Sequence, residues 1–225
     1  MHFHFQAVVQ RLDFLLSGLA ITFGVSVATL VASLVLGVGL ALGRTARARG
    51  IRLLATAYID LFRNTPFLVQ LFFFYYGLAE IGLDIDPVVT GIIALSLSTA
   101  THNGEALRAG IEAVDGGVVE AARSMALSRW QTYRHVILPI AFRTALRPMG
   151  SVFINMVLTT SILSTITVND LMGNAMTVAG ETFRPFEVYV VLLLLYCVLT
   201  FTLSAGLNAI HTFVLTRGRR QVAVR

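Results

Sequence analysis

Residues 15–42 read LLSGLAITFGVSVATLVASLVLGVGLAL, 28 residues without a charge. A helix that crosses the hydrocarbon core of a bilayer needs about 20 mostly apolar residues. This stretch exceeds that length, and it is too long for the apolar core of a signal peptide. The residues before it, Met1-His2-Phe3-His4-Phe5, form no positive leader, so no cleavage is expected. His2 and His4 have no acid or Cys beside them, and no metal site is expected there.

Composition agrees with a membrane-embedded chain. Of 225 residues, 56% are hydrophobic and 13% are charged. A soluble domain carries about 25% charged residues. So few charges cannot cover so much apolar side chain in water. An ordinary soluble enzyme, a disordered chain and a coiled coil are therefore excluded. The single Cys197 lies in an apolar stretch and can form neither an intrachain disulfide nor a cysteine cluster.

Working outward, four more apolar stretches have spanning character: 53–79, 88–106, 146–168 and 188–215. The second of the five is interrupted by Asp60 and Arg63. All 17 basic residues are Arg, and their placement gives the orientation. The gaps after the first and third stretches, together with the C-terminal tail, hold 14 of them. The alternate gaps hold Glu80, Asp84, Asp86, Asp170 and Glu181. The expectation is an all-α membrane protein with five transmembrane helices, its N-terminus outside and its C-terminus cytoplasmic. There is no fixed-period repeat and no linker, so residues 1–225 read as a single transmembrane domain. The positive charge lies in short gaps between apolar runs, which fits a membrane surface and not nucleic acid. Gly39 and Gly43 form a G-x-x-x-G, read as a close-packing position or a subunit interface.

The cytoplasmic gap between the third and fourth stretches, residues 116–139, is too polar to span and too regular to be a loose loop. Val118, Ala122 and Met125 mark an apolar face at helical spacing. Ser128 with Gln131 three residues on is a capping-box signature for a second short helix. Pro139 is expected to end that helix, because an interior proline breaks the hydrogen-bond ladder. Two short helices joined at Ala126-Leu127 make a protruding knob carrying Glu120, Arg123, Arg129, Trp130 and Arg134. The residues alone leave two readings, a dock for a soluble partner or an interfacial helix on anionic lipid.

The same segment resembles the EAA loop of binding-protein-dependent ABC transporter permeases, with the pattern E-A-A, three residues, G, nine residues, I-x-L-P. Glu120-Ala121-Ala122 and Leu138-Pro139 match. Ala126 stands where the family has Gly, and Val136 where it has Ile. A left-handed turn at Ala126 would cost on the order of 1 kcal/mol. Arg63-Asn64-Thr65-Pro66-Phe67-Leu68-Val69-Gln70-Leu71-Phe72 resembles the R-[GN]-T-P-L-L-V-Q-L-F stretch of the histidine/glutamate-type amino-acid permeases. Glu105-Ala106-Leu107-Arg108-Ala109-Gly110-Ile111 resembles their A-E-x-x-R-x-G-I. Leu158 replaces a Lys of the family and Thr159 an acid or amide. The resemblance runs in order from about residue 15 to about 215.

It implies a MetI-like permease in a bacterial inner membrane, importing polar amino acids. The implied partners are a cytoplasmic ABC ATPase dimer, a second permease chain and an extracytoplasmic amino-acid-binding protein. ATP and Mg would sit on the ATPase, and this chain has no phosphate loop and no cofactor of its own. Coupling to the ATPase would fall to Glu120, Ala121, Ala122, Arg123, Ala126, Leu127, Arg129, Leu138 and Pro139.

Polar residues at membrane depth are costly and should face protein or a water-filled path. Arg63, Thr65, Gln70, His102, Asn103, Glu105, Thr160 and Ser161 are the candidates for a substrate path. Each has a structural alternative. Arg63 has Asp60 three residues before it as a partner, and Glu105 has Arg108 three residues after it. His102 can serve as a bundle hydrogen bonder. The hydroxyls can bond their own backbone. Pro66 is expected to kink the second stretch. Two rival functions remain. A membrane enzyme would need a nucleophile, acid pair or metal cluster, and Asp84 with Asp86 are the only close acids. An ATP-independent carrier would use Arg63, His102 and Glu105 as a relay.

Overall fold

The computed structural model describes residues 5–222, with side chains through residue 213. The readings of His2, His4 and the terminal Arg225 lie outside the described residues. Among the described residues every regular element is helical. A short α1 (Gln6–Val9) precedes α2 (Leu12–Thr45), and α3 (Arg49–Arg63) follows. Then come α4 (Phe67–Phe72), a π-turn (Phe73–Gly77), α5 (Leu78–Glu80) and α6 (Pro87–Glu112). Next are α7 (Gly116–Ser124), α8 (Arg129–Thr132), a second π-turn (Tyr133–Ile137), α9 (Leu138–Thr159) and a 3-10 segment (Thr160–Ile166). The chain closes with α10 (Leu171–Thr182) and α11 (Pro185–Val222).

Three helical runs among the described residues are long and apolar enough to cross a membrane: Leu12–Thr45, Arg129–Ile166 and Pro185–Phe213. Apart from the last two residues of the fourth and of the fifth, they contain the first, fourth and fifth apolar stretches. The other two depart from a simple hydropathy reading, each for a physical reason.

Stretch 53–79 is two helices. α3 stops at Arg63, and Pro66 adopts an extended conformation (φ −57°, ψ 137°) before α4 starts. The expected kink is a full break. Proline has no N–H to donate and drives the residue before it out of the helical region. Gln70 bridges the break: its Nε2 donates to the carbonyls of Phe62 (2.7 Å) and Thr65 (2.8 Å).

Stretch 88–106 lies within α6, whose 26 residues extend about 39 Å at 1.5 Å per residue. Its length suits a crossing, but Thr90, Ser96, Thr99, Thr101 and Asn103 lower its hydropathy. All five are buried. α6 is the central helix: α2 runs along one side of it, α9 along another, and α3 and α4 also touch it. Protein therefore covers the polar groups that lipid could not satisfy. Asn103 Nδ2 donates to Ser33 Oγ of α2 at 3.1 Å, and Thr101 Oγ1 donates to the Ser98 carbonyl.

Close approach makes that covering possible. A Cβ on Gly37 would lie 2.9 Å from Asn103 Cβ, and one on Gly104 would lie 3.0 Å from Leu40 Cβ. The α2–α6 crossing thus depends on two missing side chains. The G-x-x-x-G pair read from the sequence splits: Gly43 faces Ala55, whereas Gly39 has open space. Beside the crossing, Val25, Leu71, Leu95, Phe153, Met156 and Leu163 form an apolar core. At the opposite end α10 is tied to α2. The Leu171 N–H donates to Thr22 Oγ1 (3.1 Å), and Asn174 Nδ2 donates to the Phe14 carbonyl (2.6 Å).

Pro139 does not end the second short helix. The run from Arg129 to Ile166 is continuous. The π-turn at Tyr133–Ile137 directly precedes the proline, which falls in the first turn of α9. A widened turn removes the clash with the carbonyl four residues back and needs no donor from proline at that position.

Gly37→Leu is expected to lower the thermal midpoint of the detergent-solubilised chain, with a loss of about 1–3 kcal/mol from overpacking. Gly39→Leu, facing open space, should leave it nearly unchanged. Equal effects from the two would contradict the crossing.

Candidate functional site

Two regions carry the site residues. The first is the exposed segment of α7, α8 and their joint. Asp115 caps α7, its Oδ1 accepting from the Gly117 N–H at 2.6 Å. α8 opens on the expected capping box. Gln131 N–H donates to Ser128 Oγ (3.3 Å), and Ser128 N–H donates to Gln131 Oε1 (2.8 Å).

Between them Ala126 has φ +56°, in the left-handed region. The Ala126 N–H donates to the Arg123 carbonyl (2.9 Å), and the Leu127 N–H donates to the Ala122 carbonyl (3.3 Å). This is the Schellman closure of a helix C-terminus, where Gly is usual because a Cβ is strained there. Ala126 therefore occupies a turn that explains the Gly of the EAA pattern.

The apolar face read from the sequence is not all inward. Ala122 is buried, but Val118 is exposed, and Met125 and Trp130 are 76% and 66% exposed. Glu120, Ala121, Arg123 and Arg129 are exposed with them, as are Leu138 and Pro139, while Leu127 is half-buried. The surface thus combines exposed apolar side chains with charges of both signs. Behind it an open cavity of about 470 Å³ separates this segment from Arg47, lined by Arg123, Leu127, Arg129 and Tyr133.

The second region lies inside the helix bundle. A cavity of about 220 Å³ is bounded by Ser98, Thr99 and His102 of α6, Asn155 and Thr159 of α9, and Phe67 at the start of α4. Of the eight residues proposed for a path, only His102 lines it. Arg63 makes no ion pair with Asp60.

The other six have structural partners. Thr65 donates to the Leu61 carbonyl and Gln70 bridges the helix break. Asn103 turns to α2. Thr160 and Ser161 donate to the carbonyls of Val157 and Leu158, both at 2.7 Å. Glu105 is held by Arg108 Nη2 (2.9 Å) and lies 3.6 Å from Arg44 Nε, while Arg108 also reaches Glu112 (2.6 Å). With Glu105 held this way, the Arg63–His102–Glu105 relay has no free acid.

Sequence reasoning missed Ser98, Thr99 and Asn155 as lining residues; Thr159 it weighed only as one of the span-four hydroxyls that could line a path. Their signal was the helical period itself: Ser98 with His102, and Asn155 with Thr159, each four residues apart.

Comparison with known proteins gives the family. Residues 33–217 match the family described as binding-protein-dependent transport system inner membrane component. A probable glutamine ABC transporter permease, GlnM of Bacillus subtilis strain 168, is 41% identical over 183 residues, covering 81% of this chain and 85% of the relative. The nopaline transport system permease NocM of Agrobacterium fabrum is 34% identical, covering 88% and 87%. Among solved structures, the crystal structure of an amino acid ABC transporter with histidines has a TM-score of 0.89. Its identity is 33%, with 94% of this chain and 99% of that chain covered. An inward-facing MetNI methionine ABC transporter shares the fold at a TM-score of 0.71 and 20% identity. The chain belongs to the family of binding-protein-dependent transport system inner membrane components: it is a permease subunit in the inner membrane, not an enzyme.

Ala126→Gly should relieve about 1 kcal/mol of backbone strain at the α7–α8 joint. Amide exchange at Ala126 and Leu127 should slow by roughly fivefold, since 1 kcal/mol is about that factor. Exchange that is unchanged or faster would contradict a strained left-handed alanine.

Proposed function

We propose that this chain is the transmembrane subunit of an ATP-driven importer of polar amino acids. Its five spans carry the N-terminus to the outside and the C-terminus to the cytoplasm. α6 and the joined α3–α4 segment supply the two crossings that hydropathy alone under-reads. The 14 cytoplasmic arginines support this orientation, as does the permease family to which the chain belongs.

α7 and α8 are the coupling helices. The observation that carries this assignment is the exposed Met125 and Trp130 beside Glu120 and Arg123. Large apolar groups rimmed by charge suit a protein partner. That partner is an ABC ATPase dimer holding ATP and Mg. An extracytoplasmic binding protein delivers the amino acid, and a second permease chain, the same or homologous, completes the path.

The cycle is alternating access. Closure of the ATPase displaces α7 and α8. Because α8 runs without interruption into α9, the displacement reaches Asn155 and Thr159 on the cavity wall. The substrate's charged and polar groups meet hydroxyls of Ser98 and Thr99, the amide of Asn155 and the imidazole of His102. The size of the cavity, about 220 Å³, is compatible with one amino acid and not a large ligand.

The test is a pull-down of the tagged chain from its native membrane in mild detergent, with partners identified by mass. An ATPase chain and a permease chain are expected in the eluate. Glu120→Arg combined with Trp130→Ala should lower ATPase recovery at least tenfold and leave the permease fold intact by gel filtration. Recovery of the intact wild-type chain without an ATPase would overturn the importer reading.

A further inference from the structure

Where α2 ends and α3 begins, the last two turns of α6 lie against the corner. They enclose an open cavity of about 370 Å³ whose wall holds Arg44, Arg49, Arg52, Arg108, Glu112 and Leu53. Two of the four guanidiniums have carboxylate partners. Arg108 is paired with Glu105 and Glu112, and Arg44 lies 3.6 Å from Glu105.

Arg49 and Arg52 have no ion pair among the described residues. Arg52 Nη1 donates only to the Ala46 carbonyl, at 3.3 Å. Four positive groups against Glu105 and Glu112 leave two charges uncompensated. The planar fork of donors on each guanidinium matches phosphate oxygens.

The surroundings identify the source of that phosphate. Leu53, in the cavity wall, is 67% exposed, Leu54 is 73% exposed and Ile51 is 54% exposed. The apolar stretch of α2 gives way to charge between Leu42 and Arg44. The cavity therefore lies at headgroup depth, with Leu53 in its wall and the exposed Ile51 and Leu54 on other sides of the same turn of α3. An inorganic anion would cover the arginines and leave these aliphatic side chains bare. A phosphate carrying acyl chains covers both.

We propose that Arg44, Arg49, Arg52 and Arg108 form a headgroup site for an anionic phospholipid, with its acyl chains along Ile51, Leu53 and Leu54. Arg49 and Arg52, three residues apart on one helix, supply the attraction. Arg44 and Arg108 are positioned by Glu105 and Glu112, which keep them from collapsing onto the lipid-facing side. The site needs only membrane-interface depth, so it stands independently of the substrate and of the ATPase.

The test is native mass spectrometry of the full-length chain, delipidated in mild detergent and titrated with dioleoylphosphatidylglycerol, dioleoylphosphatidylcholine or inorganic phosphate. The wild type should bind phosphatidylglycerol about tenfold or more tightly than phosphatidylcholine. Arg49→Gln with Arg52→Gln should lose most of that preference, and each single variant should lose part. Arg49→Lys with Arg52→Lys should keep most of it. Arg143→Gln with Arg147→Gln, removing equal charge elsewhere, should leave it intact. Three results would overturn the proposal: no preference in the wild type, an equal loss in the Arg143/Arg147 variant, or inorganic phosphate binding as tightly as phosphatidylglycerol. If the double glutamine variant does not fold, the wild-type lipid comparison and the single variants decide.

Discussion

The polar side of α6 has to be covered, and the architecture follows from that requirement. Thr90, Ser96, Thr99, Thr101 and Asn103 cannot face hydrocarbon without cost. α2 covers one side by approaching at Gly37, where a Cβ would collide with Asn103, and at Gly104, where one would be tight against Leu40. The Ser33–Asn103 hydrogen bond then fixes the register of the two helices. α9 covers another side, close enough that a Cβ on Gly110 would lie 2.5 Å from the Ala141 carbonyl oxygen. The apolar surfaces left outward, such as Val31 and Val35 on α2 and Leu193 and Phe201 on α11, are those that lipid can solvate. The cavity beside His102 lies between α6 and α9, so the helix that most needs covering also supplies a polar wall of that cavity.

Two prolines divide the mechanics. Pro66 is itself extended and separates α3 from α4, and Phe67 at the start of α4 lines the cavity and packs against the apolar core. Pro139 follows a π-turn and interrupts nothing, so the exposed α8 and the cavity wall on α9 belong to one helical run. The difference lies in the carbonyls before each proline. At Pro66 they are released from the helix and Gln70 satisfies two of them nearby. At Pro139 the widened turn moves them aside. A break at the first position and a continuous run at the second suit the alternating-access cycle proposed above.

Residues 15–42 and 188–215 were legible because lipid-facing helices advertise themselves by hydropathy alone. The Ser128–Gln131 capping box and the Glu105–Arg108 pair were legible because their partners lie three residues apart. The turn at Ala126 was legible only through resemblance, since alanine gives no sign of a left-handed conformation. The role of Asn103 was not legible, because its partner Ser33 is 70 residues away. The hydroxyls of Thr160 and Ser161 resembled path residues but bond the backbone of their own turn. The cavity wall was missed for the same reason as Asn103. Ser98 and Asn155 meet only once α6 and α9 pack, and that packing is set by glycines whose role is visible only in three dimensions.

The proposed five-span arrangement would make the polar α6 a crossing, and this is the claim on which the proposed function stands. Labelling of single cysteines with a membrane-impermeant thiol reagent, in a Cys197→Ser background, tests it most directly. Leu83, Trp130 and Phe183 are exposed sites that bracket α6 and the helices after it. Leu83→Cys and Phe183→Cys should react in intact cells, and Trp130→Cys only after the membrane is opened. Reaction of Trp130→Cys and Leu83→Cys from the same side would mean that α6 does not cross, and would contradict the account.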